Sequence, residues 1–410
     1  MRKSVFYLLT LLLAITFFTS CEKDEGKSKV VNPIAQATYT GNTGLTLTYN
    51  GEIMIGKKVT YTPNASDPYK ATLLLEGDEF DLSAALSRSG ATFTTTSPIP
   101  GSASVTLDIT QTVQGDQCSF SGNGSTDYCT FDYNGTVSTG AMTINLVNVK
   151  LKNATLSGSN WKLVNYDVEN EEVTSPLVTN WTSTDSVSIE IIPGVNMKLP
   201  VGDVLTLAMR IPMIKTVDES GESTTASASE MIGKMLKNVA FSQAGCIQAT
   251  YLESNSKNIM VSLTTLAMYV EPSNNKILLL LNPQQITETA VANKGIDKSS
   301  EMVKGMVPMV ISMIPNATSL LKDGIPVNYE KTDDSHVTFY VDETLLKPLL
   351  QATVTPLLSN EKISAAINNA IAKNPKMSAY ANMIQGVIKC LPDVIENTES
   401  MKIGLNFEKQ

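Results

Sequence analysis

Between residues 37 and 160 the chain alternates apolar and polar side chains with a period of two. Leu45, Leu47 and Tyr49 are separated by Thr46 and Thr48, and Val105, Leu107 and Ile109 by Thr106 and Asp108. Met142, Ile144 and Leu146 are separated by Thr143 and Asn145. Successive side chains of a strand point to opposite faces, so this pattern buries one face only if the backbone is extended. The phase then changes through Val147-Asn148-Val149-Lys150-Leu151, which predicts a β-bulge. Asn50-Gly51 and Asn134-Gly135 are expected hairpin turns, because both residue types tolerate positive φ. About six to eight such strands make an antiparallel sandwich or barrel.

From Trp161 onward strands alternate with helices. Val187, Ile189 and Ile191 still alternate with Ser188 and Glu190. Ser227-Ala228-Ser229-Glu230 is a capping box, opening a helix with Met231, Ile232, Met235, Leu236 and Val239 on its apolar face. Strands are expected around 247–252, 259–270 and 276–281, with a turn at 272–275. A helical stretch over 299–322 is apolar on nearly every side and interrupted by Pro308 and Pro315. Strands at 327–330 and 337–341 are joined by Thr332-Asp333-Asp334-Ser335. Helices at 345–358 and 377–396 and a last strand, Met401–Phe407, complete the chain. The expected class is α+β, with an N-terminal β-rich domain over 37–160. A C-terminal α+β domain over 161–410 packs amphipathic helices on antiparallel sheet.

The first 36 residues have a different texture. Arg2 and Lys3 precede the apolar run Val5–Phe18, which is too short to remain as a spanning helix. Small residues then lead to Cys21, so residues 1–20 are expected to be a secretory signal. Residues 21–36 begin Cys-Glu-Lys-Asp-Glu-Gly-Lys-Ser-Lys, a charged tether without large apolar residues. Phe18-Thr19-Ser20-Cys21 resembles the lipobox of bacterial lipoproteins, with Phe18 where that family usually has leucine. The resemblance implies that Cys21 is the first mature residue and carries a diacylglycerol thioether and an N-acyl chain. Several acyl chains anchor a protein stably at about 0.8 kcal/mol per buried methylene. The acidic residues after Cys21 resemble the export signal of surface lipoproteins in some Gram-negative bacteria. That implies an outer-membrane location facing the cell exterior.

Two further resemblances concern the folded part. The stretch from Tyr39-Thr40-Gly41 is similar to calycin-like barrels. The phrases Asn238–Phe241, Ile247–Tyr251 and Gly324–Tyr329 resemble uncharacterised surface lipoproteins of Gram-negative gut bacteria, a domain-of-unknown-function family with no activity to carry over.

Composition narrows the chemistry. The formal net charge is −9 and no basic cluster follows the signal, which argues against nucleic acid as a partner. A single histidine, His336 beside a turn, leaves no multi-histidine metal site and makes a Ser-His-Asp or Cys-His centre depend on that one ring. Phosphate-loop, nucleophile-elbow and dinucleotide glycine patterns are absent. No cofactor and no catalytic residue are expected, and the reading is of a non-enzymatic protein. Cys118 and Cys129 flank a Gly- and Ser-rich stretch that reads as a hairpin turn, so a disulfide across it is expected. Cys246 and Cys390 are then partners by elimination, the alternative being buried thiols.

Three functional readings remain. Seventeen methionines and apolar C-terminal helices point to a pocket for a lipid or other apolar small molecule, with Met302, Met306, Met309, Val310, Met313 and Ile314 as candidate lining. The second reading is an adhesion, scaffold or glycan-binding module, for which Trp161 and Trp181 are candidate stacking rings. The third is a surface glycosidase using a carboxylate pair, with Asp78-Glu79-Phe80-Asp81 and Asp333-Asp334 as the acidic clusters. Solvated turns are the better reading of both clusters, because turns favour aspartate.

Overall fold

The period-two alternation folds into strands whose buried faces join in one core. The structure, a computed structural model, describes residues 31–81, 92–169, 172–192, 195–212, 214–217, 223–252, 259–292, 317–358, 365, 369 and 381–410. Two large sheets follow one another along the chain. In spatial order the first contains Ala37–Thr40, Lys57–Pro63, Lys70–Gly77, Ser104–Gln114, Gln117–Ser125, Cys129–Ser138, Ala141–Leu151, Leu45–Tyr49 and Glu52–Ile53. Neighbours are antiparallel except Ala141–Leu151 and Leu45–Tyr49, which run parallel. The chain passes from one edge of this sheet to the strand beside the other edge through Gly41–Gly44. Those residues span at most about 18 Å, so the sheet has to curl until its edges approach. Gly44 sits at φ 92 with the Gly140 carbonyl oxygen 2.1 Å from where a Cβ would stand, so no other residue fits.

The curled sheet corrects two turn expectations. Asn50-Gly51 is a hairpin turn with both residues at positive φ, as expected. Asn134-Gly135 instead lies within the Cys129–Ser138 strand. The Gly- and Ser-rich stretch before Cys129 is also mostly strand, Gln117–Ser125. Its glycines are slots for rings on the next strand. Gly124 pairs with Phe131, Gly122 with Tyr133, and Gly135 with Phe120. A Cβ on Gly124 would lie 2.3 Å from the Phe131 ring, and on Gly122 2.5 Å from the Tyr133 hydroxyl. Glycine inside a strand marks close approach as readily as a turn. The expected bulge is present, with Asn148 at φ 53 and the register shifting opposite Thr130 and Asp132.

Among the described residues no cysteine is in a disulfide, which corrects the Cys118–Cys129 expectation. Cys118 lies opposite Val137, at the far end of the hairpin from Cys129. Eight residues of strand separate those levels, roughly 26 Å, whereas a disulfide needs Cα atoms within about 7 Å. Cys246 lies in the continuous core and Cys390 packs against a separate one, so the second pairing fails too. Burial raises the thiol pKa of Cys118 and Cys129, and that of Cys246 to about 11.

The second sheet closes on itself. Its ring runs Ser159–Leu163, Leu236–Phe241, Cys246–Leu252, Ala267–Ser273, Lys276–Leu281, Ile325–Lys331, His336–Asp342 and Thr398–Lys409. Thr398–Lys409 then pairs back onto Ser159–Leu163, closing an eight-stranded antiparallel barrel. Leu177–Ser183 adds to the same edge of Thr398–Lys409 further along, and Ile259–Val261 pairs with the upper part of Cys246–Leu252. The helices Val201–Arg210, Glu343–Leu358 and Ala381–Glu396 meet this sheet where it extends past the ring. There Trp181, Val204, Leu346, Val394, Ile395 and Met401 form a second core. Pro33–Gln410 is one compact unit, and the main apolar core continues from the first sheet into the barrel. The chain is therefore mostly β, with fewer residues in helices.

One lysine is sealed inside. Lys57 is 4% exposed and donates to the Thr96 carbonyl at 2.8 Å. It holds down the buried run Thr95–Ile99, which crosses Gly77 so closely that a Cβ there would meet the Thr95 carbonyl oxygen at 2.1 Å. Burial pushes the Lys57 ammonium down to about 7. Because the folded pKa lies below the unfolded one, the unfolded chain binds the extra proton between about pH 7 and 10. Stability from this group therefore rises with pH across that window, and the full penalty, on the order of 4 kcal/mol, applies below it. The variant Lys57→Met should be more stable than the parent at pH 6. The gap should close as pH approaches 10, as read by denaturant midpoints at matched ionic strength.

Candidate functional site

Along the inside of the barrel, buried aromatic rings give way to partly exposed apolar side chains. Register fixes which residues face inward. Phe241 opposes Ile247, Val239 opposes Ala249, and Leu236 opposes Tyr251. Ile277 opposes Val327 and Leu279 opposes Ile325. Val337 opposes Phe407, Phe339 opposes Leu405, and Val341 opposes Ile403. Rings from non-adjacent strands meet across the interior, which confirms the inward face. Phe241 contacts Tyr269 edge-on at 5.0 Å and stacks on Phe339 at 5.3 Å, between centroids. Phe339 also meets Phe407 at 5.7 Å and Tyr329 at 5.8 Å. Such pairs add about 0.5–1.5 kcal/mol each beyond burial.

Below the rings a polar seal joins barrel and first sheet. Asn153–Leu156, leaving the first sheet, crosses the barrel end. Glu271, 3% exposed, accepts the Leu156 backbone N–H at 2.9 Å and the Thr155 hydroxyl, while its own carbonyl accepts the Asn153 amide at 3.1 Å. The Tyr329 and Thr155 hydroxyls lie 2.8 Å apart. Tyr269 donates to the Ser242 carbonyl at 3.0 Å, and Tyr49 of the first sheet reaches the Ala244 carbonyl at 2.5 Å. Burial foremost, then the Glu271 carboxylate, raises the Tyr269 phenol pKa, so it stays a neutral donor. Further along, Glu52 accepts the Thr264 N–H at 3.0 Å and hydroxyl at 2.6 Å.

Above the rings the chemistry changes. Leu236, Val239, Ala249, Tyr251, Leu279, Ile325 and Val327 face the interior yet remain partly exposed. None of these positions carries a charge. The helix Ala228–Met235 stands beside this sector, capped by Ser227, whose hydroxyl accepts the Glu230 N–H at 3.2 Å while Glu230 accepts the Ser227 N–H at 2.6 Å. Its Ile232 packs onto the barrel core. Met235, Ile259, Val261 and Leu263 project exposed around the same end.

Sequence-predicted sites fall unevenly. Cys21 and Met302, Met306, Met309, Val310, Met313 and Ile314 lie outside the described residues. Trp161 and Trp181 are buried, their indole N–H groups bonded to Ser159 and Thr398, so neither is a stacking platform. His336 is exposed and meets the Asp333 carboxylate at 2.9 Å. That contact, with the Ser335 N–H, holds Asp333 below the usual carboxylate range. It is the local chemistry of a turn. Among the described residues no cluster of three or more His, Cys, Asp or Glu is arranged to hold a metal. Sequence reasoning missed Glu271 and the ring floor. The available signal was a carboxylate in phase with Tyr269 and Ala267 on an otherwise apolar strand face.

Glu271→Ala should cost about 2–3 kcal/mol of unfolding free energy, because it leaves the buried Leu156 N–H without its acceptor. Glu271→Gln, which keeps one carbonyl acceptor, should cost less; equal losses for both in denaturant titrations would show that the Leu156 bond is not the important one. Comparison with protein families, curated proteins and solved structures finds no match to this chain.

Proposed function

We propose that this chain is a lipid-anchored protein of the bacterial outer membrane, facing the cell exterior, which binds a lipid or other apolar small molecule without catalysing a reaction. The observation carrying the binding reading is the partly exposed, uncharged inner wall of a closed barrel above a filled floor. Eight-stranded barrels are just wide enough to be filled by side chains or to hold one small ligand. Beyond the Phe241–Phe339 pair, Val239, Ala249, Leu279 and Val327 on the inward face remain partly exposed. A wall of that composition gains roughly 25 cal/mol per Å² when an apolar molecule displaces water from it. The exposed Met235, Ile259 and Val261 mark the entrance side. The anchoring reading rests on the Val5–Phe18 apolar run and Cys21.

Two measurements test the two halves separately. Cys21→Ser should abolish acyl labelling and move the protein from the membrane to the soluble fraction; unchanged fractionation defeats the anchor. Val327→Glu places a charge on the inner wall and should reduce binding of a solvatochromic apolar probe by about tenfold or more. The parent should also carry an apolar adduct in native mass spectra that this variant loses. Repeated apo masses with no probe uptake by the parent defeat the pocket.

A further inference from the structure

Asparagine precedes glycine at 50–51, 123–124 and 134–135. Asn50, Asn123 and Asn134 are all exposed, yet the backbone holds them differently. Asn123-Gly124 and Asn134-Gly135 lie inside paired strands, with the Phe131 ring against Gly124 and the Phe120 ring against Gly135. Asn134 is paired on both sides, with Asn145 and with Ser121, and its side-chain oxygen accepts the Asn145 amide at 2.9 Å. Asn50-Gly51 instead makes up the turn between Tyr49 and Glu52. Its φ angles are 48 and 92, and a Cβ on Gly51 would meet nothing within 4 Å. The Asn50 N–H donates to the Leu146 carbonyl at 2.8 Å, while among the described residues the Gly51 N–H has no acceptor.

That combination is reactive. Glycine has no side chain to shield its own nitrogen, so the nitrogen reaches a preceding asparagine carboxamide with little hindrance. Once deprotonated, the Gly51 nitrogen attacks Asn50 Cγ. The Cγ–Nδ2 bond breaks and ammonia leaves with the proton, closing a cyclic imide. Water then adds at one of the imide carbonyls and reopens the ring. One direction yields aspartate; the other yields isoaspartate, in which the main chain runs through the former side-chain methylene. The attacking nitrogen has to rotate towards Cγ. A turn outside the ladder permits that rotation, whereas paired strand has to open first.

The turn also lies in the seam between the first sheet and the barrel. On one side of it, buried Tyr49 reaches the Ala244 carbonyl at 2.5 Å. On the other, Glu52 accepts the Thr264 N–H at 3.0 Å and hydroxyl at 2.6 Å. Further on, the Ile55 carbonyl accepts the Asn282 amide at 2.9 Å, and the Ile55 N–H donates to Gln285 at 3.1 Å. Isoaspartate lengthens the main chain where Tyr49 and Glu52 stand opposite each other in register. Turn geometry and loop length fix hairpin register, so the extra backbone atom displaces the strand that carries Glu52.

We infer that Asn50 is a site of spontaneous deamidation from which the fold protects Asn123 and Asn134, and that isoaspartate at this turn loosens the Glu52–Thr264 seam between the two sheets. The inference is independent of what the barrel holds. The test is to age the folded chain at mildly alkaline pH beside a sample kept unfolded in guanidinium. Peptide mass spectrometry follows each Asn-Gly, and labelling by an isoaspartyl methyltransferase identifies the product. In guanidinium all these sites should lose their amides at similar rates; in the folded chain Asn50 should lose its amide while Asn123 and Asn134 keep theirs. An Asn50 amide retained for as long as the unfolded sample takes to lose it overturns the assignment. Loss at Asn123 or Asn134 that keeps pace with Asn50 does so as well. The aged chain should also melt at a lower temperature and exchange the Thr264 amide proton faster. Asn50→Gly has no carboxamide and keeps a residue suited to positive φ, so the same ageing should leave it unchanged. Complete conversion at Asn50 with Thr264 exchange unaltered overturns the effect on the seam, as do equal changes in aged Asn50→Gly, which assign them to other damage.

Discussion

The structure depends on one closure. The strand Thr398–Lys409 pairs along one edge with His336–Asp342, while its other edge is shared by Leu177–Ser183 and Ser159–Leu163. Without that last pairing the second sheet would be open, with unsatisfied backbone groups along both outer strands. Closing the ring removes those edges and forces one face of every strand inward, which creates an interior. The pairing joins residues 161–163 to residues 407–409, so the loop to be closed takes in more than half of the chain. Loop-closure entropy grows only slowly with length, so this costs little more in stability than a shorter closure, though it slows folding.

Closure also explains why the two sheets behave as one body. Leaving the first sheet, the chain has to cross the barrel end before entering it, and the groups it carries across are polar. Glu271, Tyr269 and Tyr329 supply the partners for them, and Tyr49 and Glu52 of the first sheet return the connection. Buried polar groups are costly unless paired. Here the pairing specifies how the linker sits, and so closes that end of the barrel. The two sheets inherit opposite chemistries from this arrangement. The inside of the barrel is apolar because closure turns the apolar face of each strand inward. The outside of the first sheet is polar because a single curled layer leaves one face to solvent.

Much of the local structure was legible from residue order alone. Period-two alternation located the strands of the first sheet, and the phase change at Val147–Val149 located its bulge, because side-chain direction in a strand depends only on position. Ser227 and Glu230 marked a helix start because a capping box is complete within four residues. Asn50-Gly51 read correctly as a turn. Asn134-Gly135 read identically and is mid-strand, because what fills its space is Phe120 on a neighbouring strand. The absence of a side chain is a local fact. Whether it serves a turn or a ring is decided by what lies opposite.

The cysteines divide along the same line. Sequence gave their number and the texture around them, but disulfide formation depends on separation in space, and a hairpin tighter than expected put Cys118 and Cys129 at opposite ends. Neither barrel closure nor the Glu271 seal has a local signature, since each joins residues more than a hundred positions apart. The sequence by itself determined the alternating strands of the first sheet, which of their faces are apolar, and that the chain opens with an apolar run ending near a cysteine. Only the tertiary structure decided which apolar faces are fully buried and which stay partly exposed, because that depends on strands distant along the chain.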